Sequence, residues 1–105
     1  MKMVVAMIEN HKLKQAQSKL EDTGITGYTV SATIGAGAHS GASSAVGMRQ
    51  HLKIEVAAPD MWVDPVVDAL RSSAGAGSSG VIEVYTLDRA VKISTGEGGE
   101  SFLMP

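Results

Sequence analysis

Residues 27–41 read GYTVSATIGAGAHSG, a stretch that begins as a β-strand and dissolves after Ile34 into glycine, alanine and small polar residues. Val30, Thr33 and Ile34 supply the branched side chains that strands favour. The element after Ile34 decides the fold. The string GAGAHSG comes close to the G-x-G-x-x-G turn of dinucleotide-binding proteins, but that turn must open a helix inside a strand–helix–strand unit. No helical pattern comes next. The next ordered stretch, 52–58 (LKIEVAA), alternates Leu52, Ile54 and Val56 with Lys53 and Glu55, which is the period of a strand. One strand therefore leads to another through a loop from Gly35 to about Gln50, and the dinucleotide reading is poor. Taken alone, each glycine is read best as a flexible turn. Gly35 and Gly37 also permit positive φ and close approach of a ligand to main-chain donors at a strand end.

Outward from this stretch the other elements fall into place. Residues 2–8 (KMVVAMI) form a strand apolar on both faces, with no helical period. In residues 12–23, Leu13, Ala16 and Leu20 recur among charged neighbours as the stripe of an amphipathic helix, with Gly24 as its C′ residue. A second helix starts after Pro59-Asp60, with Val63, Val66, Val67 and Leu70 on one stripe; Asp64 suits its N-cap and Pro65 its first position. Residues 72–80 (SSAGAGSSG) form a second glycine- and serine-rich loop, and 81–87 and 90–94 read as two further strands. The order is βαββαβ with a final short strand, an α+β, ferredoxin-like single domain with both helices on one face of the sheet. Apolar residues on the other face imply an oligomer.

Composition narrows the function. A chain of 105 residues with 44% apolar and 19% charged residues suits one globular domain, and a net charge of −2 gives no basic face for nucleic acid. With no cysteine there is neither a disulfide nor a thiolate metal site. The apolar run 3–8 is too short for a signal sequence or a membrane span, so a cytoplasmic location is expected.

Several segments, in order and spacing, resemble the PII signal-transduction family: MKMVVAMI and then HKL, GITGYTV, IGAG, LKIEVAAPD and DRAVKISTGEGGE. The resemblance spans nearly the whole chain. It implies a homotrimer of ferredoxin-like subunits that holds an adenine nucleotide in each cleft between neighbours. It also implies signalling to a transporter or enzyme through a long T-loop. On that pattern residues 36–51 are the T-loop, 72–80 the nucleotide-contacting B-loop and 95–105 a C-terminal segment. Thr29, Gly35, Gly37 and Ala38 would meet adenine and ribose, Ala57 would offer its main chain to the base, and Ser78, Ser79, Gly80, Lys92, Ser94 and Thr95 would lie near the phosphates.

The departures from the family are chemical. Where ATP-holding members have a B-loop ending in Gly-Asp-Gly-Lys, this chain has Ser78, Ser79, Gly80 and Val81, and the two arginine positions of the last strand carry Lys92 and Ser94. Charge-assisted contacts to phosphate contribute about 1.5–3 kcal/mol each, so the resemblance implies AMP, ADP or a cyclic mononucleotide rather than ATP. The loop also lacks the tyrosine that some members uridylylate. His39 and His51 replace the glutamine and lysine associated with 2-oxoglutarate. These features are similar to diverged PII-like proteins associated with bicarbonate uptake, carboxysomes or metal efflux.

The reactive-looking residues assemble no enzyme. His11, His39 and His51 match no compact metal motif; each reads first as a solvated histidine, with His39 and His51 as a possible metal or anion pair. Asp60, Asp64 and Asp68 read as charges favouring a helix N-terminus, Met61 and Trp62 as core, and Ser43 and Ser44 as loop serines open to modification. No nucleophile, base and orienting acid are recognisable. The alternative to a nucleotide-responsive regulator is a trimeric scaffold, or a metal- or anion-responsive protein, whose cleft has lost nucleotide binding.

Overall fold

A computed structural model describes residues 1–40, 48–75 and 80–105. Strands β1 (Lys2–Ile8), β2 (Thr29–Gly35), β3 (Arg49–Ala58) and β4 (Ile82–Thr86) form one antiparallel sheet in the order β2-β3-β1-β4. Helix α1 (Leu13–Asp22) carries the chain from β1 past β3 to β2, and α2 (Val63–Ala74) carries it from β3 past β1 to β4. This is the ferredoxin-like arrangement expected from the order of elements.

Alternation along the central strands decides which residues meet the helices. Val4, Ala6 and Ile8 of β1 stand opposite Val56, Ile54 and Leu52 of β3, and with Ala58 they pack with Ala16 and Leu20 of α1 and Val66, Ala69 and Leu70 of α2. Leu20 and Leu70 are fully buried, so truncating either to alanine costs about 2–5 kcal/mol. At the end of α1 the Thr23 hydroxyl donates to the Leu20 carbonyl at 2.6 Å, and Gly24, at φ 87°, donates its N–H to Glu21 O at 2.9 Å. Gly24 thus ends the helix where the sequence places it.

Several expectations need correction. A 3-10 turn, Asp60–Trp62, precedes α2, which starts at Val63, so Pro65 is its third residue and Asp64 is not its cap. Pro65 fits there, because the first four N–H groups of a helix have no intrahelical acceptor and the missing proline N–H costs no bond. Met61 is 73% exposed, whereas Trp62 packs against the core as expected.

The stretch 90–94 is not a strand. Val91 makes one isolated bridge to Gly98, around a turn in which Lys92 N–H donates to Glu97 O at 2.8 Å. An alternating sequence makes a strand only where a neighbour offers a ladder, and none reaches it among the described residues; Ile93 is wholly exposed.

β3 begins three residues earlier than its alternation indicates, so Arg49, Gln50 and His51 pair with Gly35, Ile34 and Thr33. Finally, the sheet face away from the helices is apolar mainly along β1, through Met3, Val5 and Met7. By register, Lys53 and Glu55 of β3, Thr29, Ser31 and Thr33 of β2, and Glu83 of β4 share that face.

The N-terminal ammonium lies 2.5 Å from an Asp60 carboxylate oxygen and 3.8 Å from Glu100, whose carboxylate also accepts the Asp60 N–H at 3.3 Å. This cluster ties residue 100 to the turn before α2.

Candidate ligand-binding site

The end of β2 and the start of β3 build one side of the site. From Gly35 the chain enters a 3-10 turn, Gly37–Ser40, in which His39 N–H donates to Ala36 O at 3.2 Å. Gly37 takes positive φ (61°), as expected. Gly35 does not, and its small size has a different cause. A Cβ there would overlap the His39 carbonyl oxygen and stand 2.9 Å from Cε1 of His51. His51 is buried on the helix-free face, with Nε2 2.8 Å from the hydroxyl of its ladder partner Thr33 and Nδ1 in a longer 3.4 Å contact with Arg49 O. A carbonyl only accepts, which assigns the proton to Nδ1 and, in the neutral ring, leaves Nε2 to accept from Thr33. Nε2 of His39 stands 3.5 Å from a carboxylate oxygen of Glu83 of β4. The turn therefore crosses the helix-free face, and Val5 on that face is buried.

The second glycine-rich segment reaches the same end of the sheet. Helix α2 stops as Gly75 N–H donates to Arg71 O at 3.2 Å. The chain re-enters the sheet where Met7 N–H donates to Val81 O at 2.9 Å. Between α2 and β4 lies a cleft of about 800 Å³, walled by Met7, Ile8, Val67, Leu70, Ile82 and Val84, with Arg71 and Asp68 lining it beside Gly75 and Gly80. Nothing in the sequence singles out Arg71. An arginine in the last helical turn reads as a charge complementing the helix dipole, and only the return of the chain into β4 brings it to the same cleft as Gly80 and Val81.

The expected nucleotide residues divide into separate groups. Gly35, Gly37 and Gly80 lie at one end of the sheet, with His39, His51 and the backbone of Ala38. Thr29, exposed at the start of β2, is six residues from Gly35, about 20 Å along an extended strand. Ala57 pairs with Met3 farther along. Lys92, Ser94 and Thr95 are exposed on the turn beyond β4, which ends where Thr86 pairs with Lys2. Ser78 and Ser79, like Ser43 and Ser44, lie outside the described residues. His11 is 3.4 Å from Glu9. Among the described residues no three His, Asp or Glu side chains gather as a metal site, and no helix is long and apolar enough to cross a membrane.

A ferredoxin-like domain whose two glycine-rich connections leave and re-enter the sheet at the same end defines the architecture. The family model for nitrogen regulatory protein P-II matches residues 1–97. The chain is 36% identical to the nitrogen regulatory protein P-II of Haemophilus influenzae, over 95% of this chain and 97% of that one. It is 39% identical to the P-II protein of Rhizobium etli, over 92% and 95%. With the nitrogen regulatory protein GlnK of Escherichia coli K12 it shares 34% identity over 98% and 100%. The chain belongs to the P-II family of nitrogen regulatory proteins, and these relatives carry regulatory names rather than enzymatic ones. Their names point to nitrogen and give no support to a role in bicarbonate uptake.

Proposed function

We propose that this chain is a nitrogen-regulatory P-II protein that binds an adenine nucleotide between the subunits of a homotrimer, with AMP or ADP preferred to ATP. It passes that state through the 36–51 segment to a transporter or enzyme. One observation carries the reading. Gly35, Gly37 and Gly80 stand at one end of the sheet, whereas β4 leaves the sheet at the other, where Thr86 pairs with Lys2, before the chain reaches the exposed Lys92, Ser94 and Thr95; a site shared between two subunits accounts for that separation. A second copy set against the first would bring such unlike ends together. Exposure of Ile93, Tyr85 and Val91 near the Lys92 end supports such apposition, since apolar side chains gathered at a surface favour an interface.

Charge argues for few phosphates. Val81 brings no cation to the cleft, so among the described lining residues the positive charge comes from Arg71, and Lys92 supplies a further one on the turn beyond β4. Each cationic contact contributes about 1.5–3 kcal/mol, so Lys92→Ala should weaken ADP roughly 10- to 150-fold. Titration calorimetry with AMP, ADP, ATP and cyclic AMP, with and without 2-oxoglutarate, tests the reading, with light scattering on the same samples. Tightest binding by ATP overturns the phosphate ranking, a monomer overturns the shared site, and no binding by any nucleotide leaves a trimeric scaffold as the reading.

A further inference from the structure

The helix-free face of a sheet in a single chain is ordinarily open, yet His51 on that face is only 2% exposed. Its cover comes from its own connection. The 3-10 turn Gly37–Ser40 lies over β3 and β1, and the missing side chain at Gly35 lets the His39 carbonyl and the His51 ring close in on the same residue. Thr33, directly across the ladder, fixes the ring through Nε2. The turn is made largely of small residues that bury little area, so its own contacts offset little of the entropy lost on ordering. A ring wedged beneath it supplies contact and direction.

We propose that His51 is a positioning residue that latches the first turn of the loop onto the sheet and thereby sets the main chain of Gly35 and Gly37. The functional half of this inference rests on the nucleotide site proposed above, whereas the latch rests on the His51, Thr33 and Gly35 geometry alone. The two therefore fail separately.

The test is native-state hydrogen exchange on the full-length protein, read at the His39 amide, which bonds Ala36 O, with the Val4 and Val56 amides as internal references. Thr33→Val keeps the shape of its side chain and removes the hydroxyl, so it serves even if His51→Ala folds poorly. His51→Gln places an amide group near the position of Nε2 and acts as the rescue. Exchange at His39 should rise tenfold or more in Thr33→Val and His51→Ala, less in His51→Gln, with the references unchanged. ADP affinity should fall five- to tenfold in the same order. Unchanged His39 exchange in both Thr33→Val and His51→Ala overturns the latch whatever ADP does. Faster exchange with unchanged ADP affinity overturns its role in positioning the ligand. If the wild-type protein binds no nucleotide, the proposed site fails while the exchange result still decides the latch.

Discussion

Asp60 is a carboxylate whose main partner, the N-terminal ammonium, lies 59 residues away in sequence and is brought beside it because Lys2 of β1 pairs with Ala58 of β3. Local sequence assigns it to a helix N-terminus, and instead it accepts a hydrogen bond from the N-terminal ammonium while remaining 65% exposed. That hydrogen bond, assisted by the charges of the ammonium and Lys2, holds its pKa below the ordinary carboxylate value against an opposing effect of desolvation. A pKa lower in the folded than in the unfolded chain gives stability that is present above the unfolded value, about pH 4, and is lost as pH falls through the folded one. Asp60→Asn should therefore be less stable than wild type at pH 7, and the difference should narrow at pH 3. Urea midpoints at the two pH values measure this; a gap that stays constant or widens on acidification contradicts the assignment. Arg71 likewise owes its chemistry to a distant segment. Its place in the cleft with Gly80 and Val81 comes from the return of the chain, which the sequence of α2 alone does not reveal.

Among the elements, α2 separates local preference from context most clearly. Its apolar stripe is legible, and Val66 and Leu70 are fully buried as that stripe requires. Its start is not, because the 3-10 turn Asp60–Trp62 moves the first helical residue to Val63 and leaves Pro65 in a position without an N–H requirement. Pro65→Ala should then destabilise slightly, by about 0.4–1 kcal/mol, through the greater freedom of the unfolded chain. Val67→Pro, two positions on, removes an N–H that the helix uses and should cost about 3 kcal/mol or more. Thermal or urea denaturation of the two variants compares them directly. A stabilised Pro65→Ala would mean that the proline strains the helix after all.

At the scale of the whole molecule, the split between the two ends of the sheet makes a prediction that a site within one chain does not. Under the proposed reading, Arg71→Ala and Lys92→Ala subunits are each deficient in nucleotide binding when assembled alone. When the two are co-assembled, every mixed trimer contains one interface that joins an intact Arg71 to an intact Lys92. Calorimetry on isolated mixed trimers should recover ADP binding of wild-type affinity at about one site in three, with both homogeneous variants weakened by the roughly 10- to 150-fold of one lost cationic contact. Failure of the mixed trimers to recover any tight site places Arg71 and Lys92 outside a shared cleft.

The order of strands and helices, the faces of α1 and α2, the cap at Gly24 and the apolar character of β1 are all legible in local patterns. Period and helix-end chemistry are properties of neighbouring residues, and they survive any change of surroundings. Tertiary structure alone decided that Arg49, Gln50 and His51 join a ladder, because pairing with Gly35, Ile34 and Thr33 recruits residues with no alternating pattern of their own. It likewise decided that 90–94 remains a turn, since a strand sequence without a partner has nothing to bond. The burial of His51, the exclusion of a side chain at Gly35 and the meeting of Arg71 with Gly80 in one cleft all arise between segments separated in the chain. Such contacts are fixed by how the elements close on one another, and no short window of sequence contains both partners.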